Sequence, residues 1–115
     1  MIPAQPPYYA VIFSSQRTGI DAGYEDMADL MERLAREQPG YLGIESVRGD
    51  SGEGITISYW ASREAIAAWK AHVKHRVAQD RGRREWYESF ALRICRVDEA
   101  RVWESGAASD GAPTP

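Results

Sequence analysis

The stretch YLGIESVRGDSGEGITISYW, residues 41–60, decides the fold. Its centre, Gly49-Asp50-Ser51-Gly52, is made of residues that tolerate positive φ and form turns. On either side the pattern has the two-residue period of a strand: after the turn, Ile55, Ile57 and Tyr59 point one way while Thr56, Ser58 and Trp60 point the other. Two strands, Tyr41–Arg48 and Glu53–Trp60, closed by a short Gly-rich turn, predict an antiparallel hairpin.

Working outward, each flank of the hairpin reads as a helix. Upstream, Tyr24, Met27, Met31 and Leu34, flanked by Ala28, Leu30 and Ala35, recur at helical spacing. Asp21 is the expected N-cap, and the acids Glu25 and Asp26 precede the arginines Arg33 and Arg36, as the helix dipole favours. The helix is expected to run to about Gln38, where Pro39-Gly40 stops it. Downstream, Ser62 is an N-cap candidate, and Ala65, Ile66, Trp69, Val73 and Val77 form the buried stripe of a second helix ending near Gly82. A short helical turn is expected over Arg83–Tyr87.

Beyond the helices lie two more strands. Tyr8–Arg17 alternates Tyr8, Ala10 and Ile12 against Tyr9, Val11 and Phe13, so both of its faces are apolar. Ser89–Val97 alternates Phe90, Leu92 and Ile94 against Ala91, Arg93 and Cys95, and Asp98–Trp103 is expected to extend it. The order β-α-β-β-α-β predicts an α+β, ferredoxin-like domain: a four-stranded antiparallel sheet with two helices on one face. A sheet that is apolar on its second face needs a second cover, and a second copy of the same sheet supplies one, which predicts a homodimer. The domain should span residues 8–104, between a Pro-rich N-terminal tail, residues 1–7, and a C-terminal tail, residues 105–115, whose Gly, Ala, Ser and Pro content predicts disorder.

Composition narrows the function classes. A net charge of −3 over 115 residues offers no basic face for nucleic acid. No apolar run is long enough to span a membrane. Residues 1–7 lack the basic and apolar regions of a secretory signal. The single cysteine, Cys95, makes no internal disulfide, so a reducing cytoplasm is expected; in the last strand it reads as a buried apolar filler rather than a nucleophile. There is no Gly-rich phosphate loop, Cys-rich zinc pattern or nucleophile elbow.

Three segments carry a family resemblance: Pro39-Gly40-Tyr41-Leu42-Gly43, Ser58-Tyr59-Trp60-Ala61-Ser62-Arg63-Glu64-Ala65, and Trp69-Lys70-Ala71-His72. Over about Tyr8 to Val97 the chain resembles the antibiotic biosynthesis monooxygenase domain. The resemblance implies a dimeric α+β barrel, two ferredoxin-like sheets packed face to face. It implies a range of activities. Some such proteins oxidise polycyclic aromatic compounds with O₂ and no cofactor, a related branch binds heme and opens its ring, and many have no known reaction. In the heme branch a tryptophan on the second helix is followed ten residues on by the histidine that ligates iron. Trp69 matches the tryptophan, but the tenth residue on is Gln79, which counts against heme ligation.

The second helix holds the candidate site. Trp69, His72, Arg76 and Gln79 stand at i, i+3, i+7 and i+10 along one side, with His75 nearby. An imidazole titrates near neutrality, so His72 is the candidate general base, and the Arg76 guanidinium is suited to holding the anion formed. Trp69, His75, Gln79 and one of Tyr59 or Trp60 are the expected substrate-binding set. Alternation puts Tyr59 and Trp60 on opposite faces, and the sequence leaves open which faces the pocket. Ser14, Ser15 and Gln16 are weaker polar candidates. No metal is expected, because His72 and His75 lack a third ligand. The expectation is thus a cofactor-independent monooxygenase of a small aromatic or quinone-like compound. The alternatives are a heme-degrading protein and a non-catalytic, stress-related binder of a small ligand.

Overall fold

The computed structural model describes residues 5–77 and 86–106. The elements follow the expected order: β1 (Tyr8–Arg17), α1 (Tyr24–Arg36), β2 (Tyr41–Arg48), β3 (Glu53–Trp60), α2 (Arg63–Val77) and β4 (Tyr87–Val97). The four strands form one sheet in the order β2-β3-β1-β4, and every neighbouring pair is antiparallel. This is the ferredoxin-like arrangement.

Register assigns the faces. Tyr9 lies opposite Trp60, Val11 opposite Ser58 and Ile94, and Phe13 opposite Thr56 and Leu92. These residues share the face that carries the helices, because Val11, Trp60, Ala35 of α1 and Ile66 of α2 make one buried cluster. Tyr9, Tyr41, Ala65, Trp69 and Ile94 pack around it. Ala10, Ile12, Ile55, Ile57, Tyr59, Val47, Arg93 and Cys95 belong to the opposite, open face.

Local chemistry departs from the sequence reading in four places. Asp21 does not cap α1; the cap is Gly23, at φ 78° with no side-chain hydrogen bond. The Asp21 carboxylate is taken by Arg17 Nη2 at 2.7 Å, and its carbonyl accepts from the Tyr24 N–H. Ser62 does act as a cap, its Oγ accepting from the Ala65 N–H at 3.1 Å. The strand β4 starts at Tyr87, two residues early, and residues 98–104 continue past it without joining the sheet. Cys95 is exposed rather than buried, because its register partner Ala10 places it on the face that no helix covers. Of the turn expected over Arg83–Tyr87, residues 83–85 lie outside the described residues.

Gly40 joins the two halves of the core. At φ 86° it turns the chain from α1 into β2, and a Cβ there would stand 2.7 Å from Ala65 Cβ in the first turn of α2. Its carbonyl accepts from the Ala61 N–H at 2.7 Å. Gly19 has a similar φ of 92° but open space around it. Gly40→Ala therefore carries both backbone strain and overpacking, about 2–4 kcal/mol together, whereas Gly19→Ala carries only the strain, about 1–2 kcal/mol. Urea midpoints of the two variants should differ in that order; equal losses would mean that the contact with α2 relaxes freely.

Candidate active site between the second helix and the sheet

Trp60 is the deepest side chain described, at 0% exposure. Its indole N–H donates to Ser58 Oγ, two residues back on the same face, at 2.8 Å. Tyr41 meets its edge at 5.7 Å between ring centroids. Trp69 of α2 lies over it at 5.2 Å and 36°. The question of which aromatic faces α2 is thereby answered: Trp60 does, and Tyr59 turns to the open face, where its hydroxyl donates to Glu45 Oε1 at 2.7 Å and its ring meets Tyr8.

Trp69 differs from Trp60 in one respect. It is only half-buried, yet its Nε1–H is buried and has no acceptor among the described residues. A buried donor without a partner costs about 1–3 kcal/mol. His72, one turn further along α2, is exposed. The side chains of His75 and Arg76, and all of Gln79, lie outside the described residues. The described part of the expected set is therefore an aromatic pair, Trp60 and Trp69, with an imidazole on the solvent side of the same helix. Among the described residues no group of His, Cys, Asp or Glu is arranged to hold a metal ion.

Two further features escaped the sequence reading. At the end of β1, Arg17 lies 3.4 Å over the Tyr24 ring, and Arg48 Nη2 donates to the Tyr24 hydroxyl at 2.7 Å. Tyr24 also meets Trp86 and Tyr87 edge-on, and the Trp86 indole donates to the Ala22 carbonyl. Burial, and then its hydrogen bond with Tyr24, push the Tyr87 phenol well above its ordinary range. Nothing in one-dimensional spacing links residues 17, 24, 48 and 87. The second feature is an open crevice of about 500 Å³ lined by Ser14, Ser15, Val47, Arg48, Gly49, Glu53, Gly54 and Ile55. The serines at the end of β1 do line a concavity, but away from Trp69.

The described architecture defines a ferredoxin-like α+β protein with an aromatic pair under its second helix. The family model described as antibiotic biosynthesis monooxygenase matches residues 7–81, and the chain belongs to that family. It is 51% identical over 100 residues to the uncharacterized protein YqjZ of Bacillus subtilis (strain 168), covering 87% of this chain and 88% of that one. Among solved structures it resembles SnoaB, a cofactor-independent oxygenase from Streptomyces nogalater, with a TM-score of 0.65 and 13% identity, over 83% of this chain and 97% of that one. PA3566 from Pseudomonas aeruginosa superposes with a TM-score of 0.64 at 15% identity, over 85% of this chain and 99% of that one. At such identities these likenesses speak to the fold. No described helix is long and apolar enough to cross a membrane.

Two measurements follow from the site geometry. Trp60→Phe leaves Ser58 buried without its donor and opens space in the core, a loss of about 2–4 kcal/mol, whereas Trp69→Phe removes an unpaired donor and should cost less than about 1.5 kcal/mol. Urea denaturation separates them; equal losses would show that Trp69 Nε1 finds a partner in solution. The second concerns Tyr59, whose phenol is raised to about 12 by burial first and then by its bond to Glu45. The folded state holds this proton more tightly than the unfolded state, so the associated stability is complete below about pH 10. It is lost as pH rises from there through about 12. Unfolding free energy measured from pH 9 upward should fall more steeply in the wild type than in Tyr59→Phe.

Proposed function

We propose that this protein is a cofactor-independent monooxygenase that oxidises a small aromatic or quinone-like compound with O₂ beside Trp69. Family membership supports the reaction class, and the fold likeness to SnoaB agrees with it. The observation that carries the reading to a place in the chain is Trp69: an indole stacked on a buried tryptophan, with a buried N–H that no described protein group accepts. A planar phenol ring packs on the exposed part of such an indole.

The chemistry needs little from the protein. Deprotonation turns a phenol into an anion that gives electrons to O₂. One oxygen atom enters the ring as a carbonyl and the other leaves as water. Conversion of a phenol to a quinone supplies all four electrons that O₂ requires, so no outside reductant is consumed. His72 takes the phenol proton, Arg76 steadies the anion, and Trp60 lies beneath Trp69 as the floor of the site, with His75 and Gln79 as further substrate-binding residues. The reading includes a homodimer in a reducing cytoplasm, with neither nucleic acid nor membrane among its partners. The uncovered apolar side chains of the open face, Val47 and Ile55 among them, support pairing with a second copy.

Purified protein treated with chelator and mixed with polycyclic phenols should consume one O₂ per quinone formed. A positioned base contributes about 10²–10⁴-fold, so His72→Ala should slow turnover by that order while the circular dichroism spectrum stays unchanged. Binding of the phenol without O₂ uptake would make the protein a ligand binder instead. Hemin titration should show no sharp one-to-one endpoint; such an endpoint, abolished by His72→Ala or His75→Ala, would bring the heme reading forward.

A further inference from the structure

Three oxidisable side chains stand in ring contact along one line through the core. Trp69 of α2 lies over Trp60 of β3 at 5.2 Å between ring centroids, and Trp60 meets Tyr41, the first residue of β2, at 5.7 Å. The line begins at the candidate site, where Trp69 is partly exposed on the same helix as the exposed His72. It ends where α1 hands over to β2, and there Tyr41 is again partly exposed. Its middle member is wholly shut off from water. Indole and phenol rings give up a single electron more readily than other rings in a protein, and rings in contact pass the resulting vacancy between them. The two ends of the line thus open on different parts of the surface, joined by a ring that solvent cannot reach.

Protons give the line a direction. A ring that has lost an electron becomes a much stronger acid, so the vacancy settles where a proton can be shed. The buried Trp69 N–H has no acceptor among the described residues. The Trp60 N–H donates to Ser58 Oγ at 2.8 Å, and a hydroxyl accepts a hydrogen bond without being base enough to take the proton. Tyr41 differs from both. Its phenol lies in the field of the Glu32–Arg36 ion pair of α1, which is closed at 2.7 Å. Burial raises this phenol above its ordinary range, with Arg36 opposing the shift and Glu32 adding to it. At neutral pH Tyr41 is therefore a neutral phenol, and its oxidation releases one proton beside a carboxylate and solvent.

We propose that Trp69, Trp60 and Tyr41 form a relay that carries one-electron oxidising equivalents from the candidate site to the surface, where they come to rest on Tyr41. The oxidant is an oxyl or peroxyl radical, formed when a turnover with O₂ goes astray. It takes one electron from Trp69 and one proton from solvent, and leaves as an alcohol or hydroperoxide. Trp60 returns an electron to Trp69, and Tyr41 returns one to Trp60. The phenol proton of Tyr41 passes to Glu32 or water as the neutral tyrosyl radical forms. A small reductant of the ascorbate type then gives Tyr41 one hydrogen atom at the surface. One hydrogen atom has moved from the reductant to the radical, and every side chain is back in its starting state. The relay rests on the proposed function for the source of its oxidant and goes beyond it in giving Trp60 and Tyr41 a redox role.

The test supplies the oxidant without substrate or O₂. In the full chain with Cys95→Ser as background, His72→Cys is alkylated with a ruthenium tris-bipyridine label, one helical turn or about 5 Å along α2 from Trp69. Flash excitation under argon with a cobalt(III) quencher turns the label into a one-electron oxidant. Transient absorption and electron paramagnetic resonance should show a tryptophanyl radical that gives way to a tyrosyl radical. Tyr41→Phe keeps the ring that packs on Trp60, so the fold stays while the tyrosyl signal is lost and the tryptophanyl signal lives longer. Trp60→Phe, with its fold checked by circular dichroism, should lower the tyrosyl yield although Trp69 is still oxidised. A tyrosyl signal that survives Tyr41→Phe, with Tyr9 of the same cluster as its source, overturns the route. A tryptophanyl radical that never passes its vacancy on overturns the relay. Since neither phenol nor O₂ is present, either result leaves the oxygenase reading standing, and a protein that takes up no O₂ with phenols but passes this test loses that reading alone.

Discussion

Trp60 is the contact on which the two layers depend. Its ring fills the space where β3, Tyr41 at the start of β2 and Trp69 of α2 converge, and it is wholly removed from water. Burying so large a side chain is strongly favourable, but its N–H also has to be satisfied. Ser58 does this from the same strand and the same face, so the hydrogen bond comes with the strand's own alternation and needs no further element. The position of α2 follows. Trp69 rests on Trp60, Ile66 joins the same buried cluster, and Gly40 lets Ala65 approach the backbone closely. The candidate site is therefore built against the most buried side chain of the described core.

Much of the fold was legible because it follows from period and punctuation. The hairpin over residues 41–60 needs only alternation and a Gly-rich turn, and β1, β2 and β3 end where the pattern ends. The details that were not legible are those decided by competition in three dimensions. Asp21 has the chemistry of a cap, but Arg17 claims its carboxylate, and Gly23 makes the turn into α1 instead. Alternation showed that Tyr59 and Trp60 oppose each other without showing which turned to the helices. That choice falls to Trp60, beside Tyr41 and below Trp69. Cys95 was misread for a related reason: apolar character in a strand says that a face is buried only once something is known to cover it.

The site itself was half legible. Helical spacing identified Trp69 and placed His72 one turn away, but it said nothing of the unpaired indole N–H, which depends on what packs around the ring. The exposure of His72 was not legible either, since its spacing from Trp69 fits either side of the stripe. In the proposed reaction a base on the solvent side of the helix passes its proton on to water.

The cluster at the end of β1 has a consequence for how the domain opens. There the Arg17 N–H donates to the Gly52 carbonyl, the Thr18 N–H donates to the Trp86 carbonyl, and Tyr24 is held between Arg17 and Arg48. The hairpin turn, the first turn of α1 and the start of β4 are thus fastened to one another at a single place, although 70 residues separate its ends in sequence. Releasing any one of the three segments breaks a bond or ring contact at this joint. The start of α1 lacks a side-chain cap, and the contacts of Tyr24 with both arginines fasten it to the hairpin and the end of β1 instead.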